Sequence, residues 1–433
     1  MTSRSLRRVV LAATLVSAGL ALPAQAQDPQ ATRTPERTQP PLSELLDMGF
    51  GTEGRATTSR FGGDRSAMAL QPDGAVVMVG GTFVDFVMAR FLADGTLDPG
   101  FGEGGMVTTD LQPDQQEEAL AVAIAPDGSI VVAGYSGFDA TMALARYLPD
   151  GSLDPSFGTG GIVAGTTPGR LYAVAIDAHG HIVVAGGRDI PDGTTDFSDL
   201  LLARFLVDGT LDTSFGEEGV VVVDVDGATN TLRELAILPD GRILASGESF
   251  GSFEGSERTD LVRVTPEGAL DLTFGGVGAI GIDTARVGEG MAVQPDGRIV
   301  LTGRALLGTE TRLETLRLEI DGALDTSFGD GGSVRTDLRD HTEAGLDVAL
   351  DAEGRIVVAG RAGDINTDFA VVRYLPDGSL DTAFADEGQV FIDFFMFPDI
   401  AESVAIGADG LIVVGGFAQQ IDADSYGVAR VLP

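Results

Sequence analysis

Glu118, Arg170, Arg233, Glu289 and Glu402 are the residues of this sequence best placed to hold a ligand. Each stands near the start of the same recurring apolar phrase, and the charged group differs from copy to copy. Carboxylates and guanidiniums gathered on one rim can grip a small ionic or polar molecule; scattered, the same residues are a solvated edge. Other chemically capable residues are few. His179 and His181 flank Gly180 at a hairpin tip and His341 stands alone, whereas a metal centre needs convergent ligands with supporting hydrogen bonds. The absence of cysteine excludes disulfides, thiolate metal sites and cysteine nucleophiles. No Gly-x-Ser-x-Gly phrase leads into a helix, so a serine nucleophile elbow is not expected. The Asp-rich turns offer one Asp each, followed by Gly, where a calcium loop needs several alternating oxygens. Asp422-Ala423-Asp424 with Ser425 beside it opens like such a loop and stops there. No catalytic residue, metal ligand or cofactor is assigned, calcium being the one option left open.

What positions these side chains is a repeat. The phrase Leu-Asp-x-x-Phe-Gly-x-x-Gly occurs at Leu46–Gly54, Leu97–Gly105, Leu153–Gly161, Leu211–Gly219, Leu270–Gly278 and Leu324–Gly332, and at Leu380–Gly388 with Ala385 in place of the first Gly. Between copies come three strand-length phrases in constant order. The first is an alternating one such as Ala119–Ile124, the second a β-branched one such as Ile130–Gly134, the third one such as Leu144–Leu148. Pro-Asp-Gly or a relative separates them, with Pro presetting φ and Gly taking the left-handed position of a hairpin. Each repeat therefore reads as a four-stranded antiparallel meander, with the Leu-Asp phrase as its fourth strand. Such a unit cannot cover both its faces alone, and seven stacked around an axis can. The fold expected is all-β: a seven-bladed β-propeller over residues 44–433. One small residue recurs in every innermost phrase, at Ala69, Ala123, Ala175, Ala236, Ala292, Ala349 and Ala405, as blades converging on an axis require.

Two ionic residues also recur in every repeat. Arg90, Arg146, Arg204, Arg263, Arg317, Arg373 and Arg430 end the third phrase, and Asp98, Asp154, Asp212, Asp271, Asp325, Asp381 and Asp47 open the Leu-Asp phrase. A feature present in every blade is structural first, so these read as one shielded ion pair per blade. The last repeat stops at Pro433 with three strands, while Leu46–Gly54 is a fourth-strand phrase with nothing before it. The two ends complement each other. The segment around Leu46–Thr58 is expected to pair with Tyr426–Leu432, setting Asp47 beside Arg430 and closing the ring. Variation is concentrated in the loops joining second to third strands, longest at 189–198, 248–258 and 306–312, on the face where the innermost strands begin.

The phrases ARYLPDGSLDPSFGTGG (Ala145–Gly161) and VRYLPDGSLDTAF (Val372–Phe384) resemble the delta-60 repeat of bacterial proteins, and the resemblance runs from Leu46 to Pro433. It implies a propeller-like repeat domain in exported or surface proteins and supplies no catalytic residues.

Residues 1–26 have the plan of a signal peptide, with Arg4, Arg7 and Arg8, an apolar run from Val9 to Leu22, and Ala24-Gln25-Ala26 as cleavage site. The run is too short to span a membrane. Residues 27–43, rich in Pro, Thr, Gln and Arg, read as a disordered linker. The net charge is −37, with every one of the 28 basic residues an arginine, and losing the three leader arginines brings it to −40. That field repels nucleic acid and anionic membranes. The expectation is an exported, monomeric, non-enzymatic binding or scaffold propeller, periplasmic or extracellular, whose partner is a protein or small molecule. The alternative is a metal-assisted hydrolase of the lactonase or phytase type using acids at the axis.

Overall fold

A computed structural model of the chain describes residues 9–11, 39–59, 65–189, 198–225, 229–250, 257–282, 286–308, 310–339, 342–364, 366–420 and 424–433. They form seven blades, each a four-stranded antiparallel sheet. In blade 2 the strands run outward from the axis as Glu117–Ile124, Ile130–Ser136, Thr141–Tyr147 and Ile162–Pro168. The innermost strands of the seven blades are Ser66–Leu70, Glu117–Ile124, Arg170–Ile176, Thr229–Ile237, Arg286–Val293, Glu343–Leu350 and Asp399–Ile406. Seven large apolar clusters fill the gaps between successive blades, the last joining blade 7 to blade 1. The repeated alanine of an innermost strand faces such a gap, as Ala175 does between blades 3 and 4 and Ala349 between blades 6 and 7.

The Leu-Asp phrase is not the fourth strand. It is the compact crossing that precedes it. In blade 1 Leu97 makes a single bridge to Phe91, Phe101 is fully buried, and the fourth strand begins only at Met106. The phrase is spent on packing because its Phe lies under the repeated arginine. Arg90 stands 4.3 Å from the ring centre of Phe101, and Arg146 stands 4.8 Å from that of Phe157. The same guanidinium reaches the Asp expected, with Nε to Oδ2 distances of 2.8 Å for Arg90–Asp98, Arg146–Asp154, Arg373–Asp381 and Arg430–Asp47, and 2.7 Å for Arg204–Asp212, Arg263–Asp271 and Arg317–Asp325. A third contact ties neighbouring blades. Arg90 donates to the Pro149 carbonyl, Arg146 to Val207, Arg204 to Pro266, Arg263 to Ile320, Arg317 to Pro376 and Arg430 to Ala93. The arginine is thus a three-way clip of ring, carboxylate and next blade.

Arg373 makes no such contact among the described residues. The same phrase also differs at Ala385. In six phrases the Gly after the Phe donates its N–H across to the next blade's turn, as Gly51 does to Asp94 and Gly329 to Asp377. In the seventh phrase alanine stands there instead, at a φ of 46°. The N-terminal segment packs against this phrase. Leu42–Leu45 forms one helical turn, Leu45 is buried with Phe384 and Val390, and Gln39 exchanges two side-chain hydrogen bonds with the backbone of Phe391 at 2.8 and 3.1 Å. Residues 39–43, expected in the linker, are therefore built into the ring; residues 27–38 lie outside the described residues.

The two chain ends close the ring. Arg55–Ser59 pairs antiparallel with Ser425–Ala429, a bridge joins Leu46 to Val431, and the fourth strand of blade 7 comes from the N-terminal end. Val9–Leu11, inside the expected leader, runs parallel to Val223–Val225 on the outer edge of blade 3. Two stretches expected as loops are largely ladder: Ala305, Leu306 and Leu307 pair with Arg312, Thr311 and Glu310, and Glu248, Ser249 and Phe250 pair with Thr259, Arg258 and Glu257. Residues 190–197 and 251–256 lie outside the described residues, as do His341 and Asp422. No helix among the described residues is long and apolar enough to cross a membrane.

Candidate functional site, the axial mouth

The candidate site is the mouth of the axial channel, on the face where the innermost strands begin. Its geometry comes from a bulge and a glycine. In blades 2, 3, 4, 6 and 7 the innermost strand carries a register shift three residues before the repeated alanine, spanning Ala119 to Ala121, Leu171 to Ala173, Leu232 to Glu234, Gly345 to Asp347 and Ala401 to Ser403. A bulge leaves one residue unpaired and re-aims its side chain. Opposite it stands a Gly of the second strand. A Cβ on Gly134, Gly186, Gly247, Gly360 or Gly416 would collide with the carbonyl oxygen of Glu118, Arg170, Thr231, Ala344 or Ile400.

The sequence candidates divide between two positions. Glu118 and Arg170 lie before the shift, while Arg233 and Glu402 are the bulged residues and Glu289 falls within the wider shift of blade 5. All five are half-buried. They share one mouth, each sensing another across it. The Tyr135 hydroxyl donates to Glu118 Oε2 at 3.0 Å, and the Arg170 guanidinium lies 4.8 Å from the Tyr135 ring centre. Arg233 covers Tyr172 at 4.4 Å. Glu402 Oε2 accepts from the backbone N–H of Ser66 at 2.7 Å and from its hydroxyl at 2.6 Å. Burial pushes the Glu402 carboxyl up to about 7 despite Ser66 and Arg65. Burial also pushes Glu289 up, reinforced by a hydrogen bond and charge repulsion from Glu248.

Several residues of the mouth escaped sequence reasoning. The residue after the second-strand Gly pairs with the start of the innermost strand, and it is Tyr135 in blade 2, Glu248 in blade 4, Arg304 in blade 5 and Arg361 in blade 6. The signal was present, since Gly recurs there while its follower changes. Just past the bulge stand Ala67, Ala121, Ala173, Glu234, Gly290, Asp347 and Ser403, of which Ala67, Ala121 and Ala173 pack into the gaps between blades. Two carboxylates thus stand among small residues. Asp347 accepts from Val404 N and Val348 N at 2.7 Å each. Burial raises both carboxyls, and Asp347 raises Glu234 further.

Neighbouring positions do structural work. Glu117, one residue before Glu118, turns inward and accepts from Leu111 N at 2.8 Å and Gln112 N at 2.7 Å; Glu343 does the same for Leu338 and Arg339. Gly247–Gly251 has nucleophile-elbow spacing, but Ser249 lies inside a strand, buried against Asn230 and Asp260. His181 bonds Asp177 at 2.9 Å in a turn on the opposite face. No group of three or more His, Asp or Glu among the described residues is arranged to hold a metal.

Six stretches, residues 71–101, 125–157, 180–215, 238–274, 294–328 and 352–384, match the family described as a domain of unknown function (DUF5122) beta-propeller. By this match, six of the seven repeats are similar to DUF5122 β-propeller repeats. Each match runs from the first turn to the Phe of the Leu-Asp phrase, so it covers the clip and leaves out the start of the innermost strand. No curated protein matches the chain. Among solved structures, the virginiamycin B lyase of Staphylococcus aureus is 11% identical, with a TM-score of 0.47 over 88% of this chain and 99% of that one. A protein of unknown function from Bacteroides caccae is 11% identical at a TM-score of 0.41, over 73% and 93% of the two chains. The α-L-arabinofuranosidase Arb93A of Fusarium graminearum is 11% identical at 0.42, over 72% and 91%. These likenesses carry nothing about activity.

Proposed function

We propose that this chain is an exported, non-enzymatic propeller that binds a small polar ligand in its axial mouth. The observation that carries the reading is the difference between the two faces. On the clip face, the same Arg-Asp-Phe contacts recur blade after blade and satisfy one another. At the mouth the groups vary between Glu, Arg and Tyr from blade to blade, and among the described residues the Nε–H groups of Arg233, Arg304 and Arg361 are buried without a hydrogen-bond partner. Unsatisfied buried donors cost stability unless a ligand or water completes them. Export is supported by the leader-like residues 1–26 and by the resemblance to delta-60 repeats, and the charge of −37 disfavours nucleic acid and anionic membranes as partners.

The hydrolase reading would use the axial acids. Its difficulty is that Asp347 and Glu402 already accept backbone hydrogen bonds. The two readings separate in one experiment. The secreted protein is incubated with lactone and phosphate-ester substrates, with calcium or with chelator, and its melting is followed in parallel against a panel of neutral, acidic and basic small molecules. Stabilisation by a panel member, lost in Arg233→Ala and without turnover, supports the binding reading. Cation-dependent turnover lost in Glu234→Gln overturns it.

A further inference from the structure

Of the seven repeated arginines, each has a carboxylate partner, and six also reach a carbonyl of the next blade. Arg304 and Arg361 contrast with them. They occupy the same position, after the second-strand Gly, in neighbouring blades. Neither side chain makes a hydrogen bond or ion pair among the described residues, and each has its Nε buried without a partner. They are close enough that Arg304 is the main charged neighbour opposing the charge on Arg361, after burial itself. A fold that holds two like charges side by side with shielded, unused donors is holding a site open for the opposite charge.

We propose that Arg304 and Arg361 form a carboxylate-binding subsite of the mouth, a reading that rests on the mouth being the binding site. The acids nearby are committed elsewhere. Glu402 gives one oxygen to the Ser66 backbone and hydroxyl, and Glu289 is engaged with Glu248. They balance the arginines at a distance without saturating their N–H groups. Their presence also selects the ligand. A dianion such as sulfate or a phosphoryl group brings a second charge towards Glu289 and Glu402, whereas a carboxylate brings one and matches the planar guanidinium fork. Hydroxyl donors on the same molecule would find acceptors in those carboxylates. The class indicated is therefore a small hydroxylated monocarboxylic acid.

The test uses the full secreted chain and three probes at constant ionic strength: D-gluconate, its neutral counterpart sorbitol, and sulfate. Titration calorimetry should show saturable binding of gluconate and none of sorbitol or sulfate. Arg304→Gln and Arg361→Gln should each weaken gluconate about tenfold or more, the loss of one charge-assisted contact. Arg361→Lys, which keeps the charge and loses the fork, should fall between, and it carries the test if a glutamine variant fails to fold. Gluconate binding unchanged in the variants, absent in the wild type, or matched by sulfate overturns the subsite. Sorbitol binding as well as gluconate also overturns it, while leaving the mouth as a binding site intact.

Discussion

Removing the segment that completes blade 7 should cost the protein most of its stability, although in sequence it resembles a tail. Consider a chain that begins at Arg60, against one beginning at Gln39. The first lacks the strand Arg55–Ser59, the Asp47 partner of Arg430, and four buried apolar residues, Leu45, Leu46, Phe50 and Ala56. Leu45, Leu46 and Phe50 are nearly inaccessible, so losing each removes about 2 kcal/mol of apolar burial. The Asp47–Arg430 pair is partly exposed and adds no more than about 1 kcal/mol. The ladder hydrogen bonds, about 1 kcal/mol each, are offset by the ordering entropy of the strand. The sum, about 7 kcal/mol, compares with a total stability of roughly 5–15 kcal/mol for a typical domain. The truncation also bares the edge Ser425–Ala429, ready to pair with another chain. Calorimetric melting with size-exclusion chromatography reads both effects. The Arg60 chain should melt on the order of 10 °C lower and run as oligomers, and the Gln39 chain should behave as the intact protein. An Arg60 chain that is monomeric and melts normally refutes closure by the N-terminal segment.

Arg146→Ala removes a guanidinium that is 11% exposed, with its Asp154 pair, its Val207 contact and its cover over Phe157; a loss of about 2–3 kcal/mol is expected in urea denaturation. Arg373→Ala, lacking the next-blade contact, should cost less, and equal losses would show that the clip does not work between blades. Burial holds Glu343, Asp399 and Glu402 up at about 7, above the ordinary carboxylate range. Their contribution is complete below about pH 4.5 and lost as pH rises through about 7, so melting should fall between pH 5 and pH 8, less steeply in Glu343→Gln. The Ser156 hydroxyl, with its backbone and Arg146 helping, holds Asp154 low, and that contribution is lost only in stronger acid. A melting temperature that rises from pH 5 to pH 8 would contradict this. Gly134→Ala drives a methyl into the Glu118 carbonyl and should destabilise by more than about 1 kcal/mol while disturbing the mouth; a silent variant would mean that the bulge is not held there.

The repeat phrases alone determined the number of blades, the turns that join their strands, the Arg–Asp pairing and the closure of Arg430 on Asp47. All are local or repeated: period-two alternation, Pro-Asp-Gly turns and a fixed eight-residue spacing act within one blade, and seven copies make each signal plain. The role of the Leu-Asp phrase was misread as strand because its apolar residues pack as a plug under the clip, which only the neighbouring blade reveals. The mouth was half legible. Glu118, Arg170, Arg233, Glu289 and Glu402 stand out as charges in apolar phrases, but strand alternation cannot show that Glu117 is buried against Leu111 and Gln112 while Glu118 meets Tyr135, nor that Arg233 is itself a bulged residue. The ring decided the rest. Arg304 and Arg361 become neighbours, and Glu234 comes to feel the charge of Asp347, only when innermost and second strands of separate blades converge on an axis, a long-range geometry that residues more than fifty apart in sequence cannot express locally.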